Sequence, residues 1–559
     1  MRGWWAMLVA LAVAVVLAIV ATTPPAPAPA DAPAGAFSAM RAMRDVRAIA
    51  RAPHPTGSAE NERVRGYLIA RLRAIGLETV PLPSRLSAKG KAVLDRWRGT
   101  PAPAPTVTSI LATLPGRDRT APAVLLMAHF DTVWGSPGAA DDAGGVAAAI
   151  EVARAVRAAG VPGRDLMLLL TDGEEPGLEG ARAFFGGHPA RARVGVVINL
   201  EARGGGGRAA MFETGRGNDA AMRSFGRAVG GPVATSLSAL VYQSLPNSTD
   251  FTPARQGGWP GYNFAFIGRA AYYHSPLSTP DIVDTGAVQD MGGQALDLTR
   301  ALLAAPSLPR RSAGDRTFFD AYGLWLVQYP PAVGWVLLLL GVAGYAAAAR
   351  RDPGAVARGA GAIVALAVVA AILLFALNLL SGADGRVNYY DRLAAIPRLQ
   401  AQALLACGAA LGATAGLFLR RGVSAGFVAG MAAPVAVLAV VVQAVAPTAS
   451  YVLVVPLLLG GVAAGVRWRA AAIVAAALVT GYLLGFGFFL MQAVGPKTPI
   501  AAVLPLLPVA LVLAPLAGRI ARRRALAVAA VLLVLGAGVA LWVRADPLAP
   551  SVPPYSNHK

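Results

Sequence analysis

Two histidines and a group of acids stand at the ends of short apolar runs. AVLLMA (123–128) leads into His129-Phe130-Asp131, and a Gly-rich turn then carries Asp141-Asp142 ahead of Ala143-Gly144-Gly145. DLMLLLT (165–171) leads into Asp172-Gly173-Glu174-Glu175, VGVVINL (194–200) into Glu201, and NFAFI (263–267) is followed by Tyr272-Tyr273-His274. The chain holds only five histidines and one cysteine. Cys407 lies in an apolar run and reads as a small buried side chain. No intrachain disulfide is possible, so a metal site must use His and carboxylates. Each feature alone has a bland reading. A strand-end His is often a satisfied core residue, Asp141 or Asp142 suits the N-cap of a helix, and Glu174-Glu175 suits a solvated face. Their coincidence at predicted strand ends points to chemistry. Two zinc ions about 3.5–4 Å apart need His and carboxylate ligands, one of them bridging. The water they acidify needs a neighbouring acid-base group. Two His, about three carboxylate ligands and one further acid meet that requirement.

The elements that must position these residues follow from periodicity. Runs at 106–114, 123–128, 165–171, 194–200 and 263–267 read as strands. Helical patterns occupy 58–75, with Leu68, Ile69, Leu72 and Ile75 on one face, and 143–159, 178–185 and 218–229. Strands alternating with helices predict an α/β domain, a mainly parallel mixed sheet flanked by helices. Near-continuous apolar strands fit burial on both faces. Ligands of such sheets bind at the carboxyl ends of the strands, where these residues stand.

The 559 residues are 55% hydrophobic and only 14% charged, against about 25% in ordinary soluble domains. The apolar excess is concentrated. Residues 1–22 read as a signal anchor or signal peptide, 23–35 as a Pro/Ala linker, 36–310 as the site-bearing domain and 311–328 as a second linker. Residues 329–546 read as an all-α polytopic membrane domain of about eight helices, at 329–348, 360–380, 399–419, 424–446, 449–466, 470–492, 499–517 and 525–543, before a tail at 547–559. A formal charge of +20 suggests nucleic acid. The arginines are scattered between apolar runs, however, which predicts a membrane-lipid partner and no nucleic acid. Arg350, Arg351 and Arg358, then Arg420 and Arg421, then Arg467 and Arg469, then Arg519 and Arg522 to Arg524 fall in alternate loops. The intervening loops carry acids as well, Asp384 and Asp391, or little charge, Lys497. This alternation places 22–328 outside the cytoplasm. Pro434, Pro456, Pro505, Pro508 and Pro515 interrupt spans as kinks do. No acid, His or Lys marks an ion path through a span centre. Asn378 and Gln443 are the notable polar residues there, read as interhelical hydrogen bonds.

The stretches AHFDTV (128–133), GAADDAGG (138–145), TDGEEPGLEGARAF (171–184), INLEARGGGG (198–207) and YYHSPLSTPD (272–281) together resemble metallopeptidase family 28, the co-catalytic zinc aminopeptidases. PHPTGSAEN (53–61) and NSTDF (247–251) resemble its subgroup of vacuolar and endoplasmic-reticulum membrane proteases, which also carry a multi-span tail. The resemblance implies a peptidase acting on peptide substrates with two zinc ions per chain. His129, Asp141 and Glu201 would bind one ion, and Asp141, Glu175 and His274 the other. Asp131 would orient His129, Glu174 would be the general base, and Tyr273 would stabilise the tetrahedral intermediate. Glu201 stands where many secreted relatives have Asp; both bind zinc. The glycines at 204–207 read as a flexible turn, and Asn247 and Asp250 suit a structural loop as well as a site. Two other readings remain: a glutaminyl cyclase, which shares the fold and uses one zinc, and a transporter or receptor whose outer domain only binds. The tail exceeds what tethering needs and leaves room for a homodimer. The Ala/Arg/Gly-rich composition suggests a bacterial inner membrane with a periplasmic site.

Overall fold

Apolar runs long enough to be buried on both faces form the centre of one sheet. The computed structural model describes residues 2–245, 247–383, 393–495 and 499–545. Asp384, Asp391, Lys497 and the tail at 547–559 lie outside the described residues. Strands β1 (Glu78–Arg85), β2 (Thr106–Leu114), β3 (Ala123–His129), β4 (Leu166–Thr171), β5 (Val194–Ala202), β6 (Gly206–Thr214) and β7 (Gly261–Gly268) lie in the order β1-β2-β4-β3-β5-β7-β6. The central β4, β3, β5 and β7 run parallel, and β2 and β6 flank them antiparallel. The sheet is therefore α/β and mixed, with helices on both faces.

Period-two alternation explains the two-sided burial. Val124, Leu126 and Ala128 of β3 pack in the core with helices Ala39–Ile49, Ala143–Ala158 and Thr285–Ala304. Leu125 and Met127 point the other way, into a cluster with Phe184, Phe185 and Phe251. Each such side chain contributes about 1.5–3 kcal/mol on burial. Two strands of this sheet escape the sequence reading, and so does a separate two-stranded sheet, β8 (Thr317–Ala321) with β9 (Trp325–Tyr329), where 311–328 reads as a linker. β1 contains Pro81 and Pro83, which cannot donate to a ladder; as an edge strand paired only with β2, it tolerates them. β6 opens within the glycine run read as a turn, because Gly206 pairs with Gly268 of β7.

The Pro/Ala stretch is tied to this domain. Arg41 donates to the carbonyls of Ala30 (3.0 Å), Ala32 (2.8 Å) and Ala36 (2.6 Å), and Arg154 to that of Ala34 (2.7 Å). Both arginines pair with Glu151, whose side chain is buried. Deleting 23–35 removes acceptors from two arginines that hold a buried carboxylate. We expect Tm of the fragment 36–328 to fall by about 5 °C or more relative to 23–328, read by calorimetry.

The chain clusters into two compact units, one of Thr23–Gln328 and the other of Met1–Thr22 with Tyr329–Leu548. Among the described residues, seven helices are long and apolar enough to cross a membrane: Trp5–Thr22, Pro353–Ser381, Leu393–Arg421, Ala425–Val445, Arg469–Val494, Pro499–Leu516 and Arg522–Ala545. Val333–Ala349 and Tyr451–Val466 are shorter apolar helices. The chain is thus polytopic. The N-terminal helix buries Ala6, Ala10 and Ala14 on one stripe. A Cβ on Gly481 would meet the Ala14 carbonyl at 3.0 Å, so the glycine lets the two helices approach closely. Gln443 bonds to the turns that precede two other helices, donating to the Pro331 carbonyl (2.9 Å) and accepting the Ser450 hydroxyl (2.5 Å). Asn378 is buried, and its Oδ1 has no partner among the described residues.

Candidate metal centre

Four of the five candidate ligands stand at or after the carboxyl ends of parallel strands, and the fifth, Asp141, stands in the turn just before a helix. His129 closes β3, and Glu201 is the penultimate residue of β5. Glu174 and Glu175 open a short helix, Glu174–Gly177, just after β4. His274 follows β7 after one 3-10 turn. The chain crosses from β3 to β4 on one side while β5 lies on the other, which leaves a crevice at their carboxyl ends. Helix Ala143–Ala158 starts there, capped by Asp142, whose Oδ1 accepts the Gly145 N–H at 3.1 Å. Of the Asp pair, Asp142 is therefore the cap and Asp141 faces the histidines.

Asp141 lies between the two rings. Its Oδ1 is 3.1 Å from His129 Nε2, and its Oδ2 is 3.1 Å from His274 Nε2. Glu201 Oε1 is 3.4 Å from His129 Nε2, and Glu175 Oε1 is 3.2 Å from His274 Nε2. Two groups result, His129–Asp141–Glu201 and Asp141–Glu175–His274. The donor atoms of each lie within 4.8 Å of one another, and Asp141 belongs to both.

The electrostatics ask for cations. Burial pushes the Glu201 carboxyl up to about 7 and the Glu175 carboxyl up. Burial, reinforced by Glu201 and Glu175, pushes Glu174 well above the carboxylate range. Burial disfavours the His274 cation, but Glu175 and Asp141 outweigh it and raise the imidazole to about 10. Protonated acids and protonated imidazoles are two answers to one excess of buried negative charge; divalent cations are the third. Glu201 Oε2 is buried without a hydrogen-bond partner, which leaves it open to a ligand ion. Nitrogen and carboxylate donors in sets of three suit zinc with an open position.

Asp131 lies beside His129 and reaches beyond it. The ring Nδ1 lies 3.0 Å from the Asp131 carbonyl and 3.6 Å from its carboxylate. That carboxylate accepts the Glu174 N–H at 3.0 Å and the Glu175 N–H at 3.3 Å. One side chain thus ties the end of β3 to the start of the acid-bearing helix. The PHPTGSAEN segment supports it from behind. The Thr56 hydroxyl is 3.0 Å from Asp172 Oδ1 and 3.3 Å from Asp131 Oδ2. Asn61 and the Thr108 N–H also serve Asp172. Burial, with the Asp131 charge nearby, pushes Asp172 up to about 7. The sequence reading assigned no role to Thr56, Asn61 or Asp172; the motif itself was the available signal. Thr56→Val leaves two buried carboxyls facing each other. We expect kcat/KM to fall about tenfold, with zinc content kept and Thr56→Ser restoring most of the loss.

Tyr273 stacks on His274 with ring centroids 3.8 Å apart. Tyr272 packs against Gly205, where a Cβ would come within 2.8 Å of its ring. Of the two tyrosines, Tyr273 is thus the one whose ring lies against a candidate ligand. Asp250 is buried, accepts the Thr171 hydroxyl at the end of β4, and is pushed up to about 6 by burial. Asn247, from the same motif, is exposed.

Residues 109–299 match the profile of peptidase family M28. The domain belongs to peptidase family M28. The chain is similar to endoplasmic reticulum metallopeptidase 1 of Mus musculus, 32% identical over 298 residues, which cover 51% of this chain and 33% of that protein. It is also similar to the vacuolar membrane protease of Candida dubliniensis, 33% identical over 233 residues, 41% of this chain and 24% of that one. The chain thus spans about a third or less of the curated relatives it matches. Among solved structures, the M28 domain is similar to a zinc aminopeptidase from Bacillus subtilis, 14% identical over 48% of this chain and 96% of that one, with a TM-score of 0.38.

Proposed function

We propose that the chain is a membrane-anchored, two-zinc exopeptidase that removes N-terminal residues from peptides on the extracytoplasmic side. The observation that carries this reading is Asp141, shared between two complete ligand sets. In this proposal His129, Asp141 and Glu201 hold one ion, and Asp141, Glu175 and His274 hold the other. When bound, the paired ions supply Lewis acidity toward a carbonyl and lower the pKa of the attacking water. The chain's own residues do the rest. Glu174 takes the proton from water and delivers it to the leaving amine. Asp131 keeps Glu174 in register through its N–H. The Tyr273 phenol donates to the oxygen on which charge develops. The acidic surroundings favour a free substrate ammonium.

A cyclase needs one metal; the complete second set supports hydrolysis instead. Arginine placement supports an outer active site, and composition supports a bacterial inner membrane. Dimerisation rests only on the size of the tail, and sedimentation in detergent tests it. The function itself is tested on full-length protein in detergent. We expect two zinc ions per chain, release of free amino acids from short peptides, and no action on N-acetylated ones. One zinc per chain with closure of N-terminal Gln would establish the cyclase.

A further inference from the structure

The amino-terminal edge of the sheet, opposite the metal centre, holds an unbalanced set of charges. A cavity of about 470 Å³ opens there, lined by Arg117, Asp118, Pro122, Arg164, Ala305 and Arg310 among others. Arg164 stands two residues before β4 and is only 6% exposed. Its Nη1 donates to the Pro122 carbonyl at 3.1 Å and its Nη2 to the Ala305 carbonyl at 2.5 Å, while its buried Nε has no partner among the described residues. Buried charges are ordinarily paired; Arg164 hydrogen-bonds only to neutral carbonyls, and the one carboxylate whose charge it faces is that of Asp118, across an isolated β-bridge.

The neighbouring carboxylates are already engaged. Asp165 pairs with Arg193 at 2.6 Å and Arg119 at 3.6 Å, and accepts the Gly116 N–H. Glu78 pairs with Arg119 at 2.8 Å. Asp118 Oδ1 is committed to its own turn, through Thr120 and Ala121. Arg117 and Arg310 line the cavity from its exposed rim and form no ion pair among the described residues. Three arginines therefore face one cavity against a single local carboxylate.

We propose that this cavity binds a phosphate group, with Arg117 and Arg310 contacting it directly and Arg164 supplying a buried positive charge beneath. The planar guanidinium fork suits phosphate oxygens. The phosphate comes either from a small soluble molecule or from the headgroup of an anionic lipid. The site is separate from the metal centre and does not depend on the peptidase reading.

The test uses the zinc-loaded, full-length protein in a non-ionic detergent. Thermal stability is followed against inorganic phosphate at constant ionic strength, with chloride as the balancing anion. The Arg117→Ser/Arg310→Ser protein is compared because both residues are exposed, whereas Arg164 variants risk misfolding. We expect a saturable rise in Tm for the parent, an apparent affinity about tenfold or more weaker in the double variant, and unchanged zinc content. Native mass spectrometry from phosphatidylglycerol and phosphatidylcholine nanodiscs distinguishes the sources. Phosphatidylglycerol retained by the parent and lost from the double variant assigns the headgroup; a phosphate effect without lipid retention assigns the soluble ligand. A phosphate response of equal strength in both proteins, as binding at the metals alone would give, overturns the proposal. So does a parent that binds neither phosphate nor phosphatidylglycerol.

Discussion

Glu174→Ala is expected to lower peptide hydrolysis by about 10²–10⁴-fold while the protein keeps two zinc ions per chain. Glu174 belongs to neither ligand set, so removing its carboxylate leaves both sets intact. Its backbone N–H still bonds to Asp131, so the helix that carries Glu175 stays in place. What disappears is the group that relays a proton between water and the leaving amine. The loss should fall on kcat, since substrate need not lean on Glu174 in the ground state. Zinc counted by mass spectrometry, beside steady-state kinetics, checks this. Loss of one zinc would instead make Glu174 a ligand.

Asp141→Ala is expected to act in the opposite way, by emptying the centre. Both ligand sets fall to two donors, because Asp141 supplies one oxygen to each histidine's side. Zinc should drop from two per chain to well under one, and hydrolysis should vanish with it. Stability separates this from unfolding. Burial would raise the Asp141 carboxyl, but its bonds to His129 and His274 outweigh that and hold it below the carboxylate range, so its loss should lower the Tm of the metal-free protein modestly while the unfolding transition stays cooperative. Zinc should raise Tm in the parent and not in the variant. A variant that still holds one zinc tightly would show that the sets are not coupled through Asp141.

The ligands were legible because their types are scarce and their positions regular. With five histidines in the chain, two at strand ends beside acids stand out. The central strands were legible because two-sided burial demands unbroken apolar runs. β1 was not, because its prolines are tolerated only at an edge, and edge position is a property of the assembled sheet. The support behind the site was not legible either. Thr56 meets Asp172 across 116 residues of chain, and nothing local to either residue announces that contact. The separate duties of Asp141 and Asp142 depend on where helix Ala143–Ala158 begins, to a precision of one residue, and periodicity does not resolve that.

The close packing of Ala14 on Gly481 bears on how the protein is made. A ribosome completes the first helix, Arg2–Thr22, long before the last residues of its partner, Arg469–Val494. At about 5–20 residues per second, roughly 450 intervening residues take on the order of 20–90 s. For that interval the alanine stripe has no native neighbour, and lipid or an insertion chaperone must cover it. A protease that clipped the leader in this window would leave the finished bundle with an open groove beside Gly481. Retention of residues 1–22 in the mature chain, read from its intact mass, is the expected outcome.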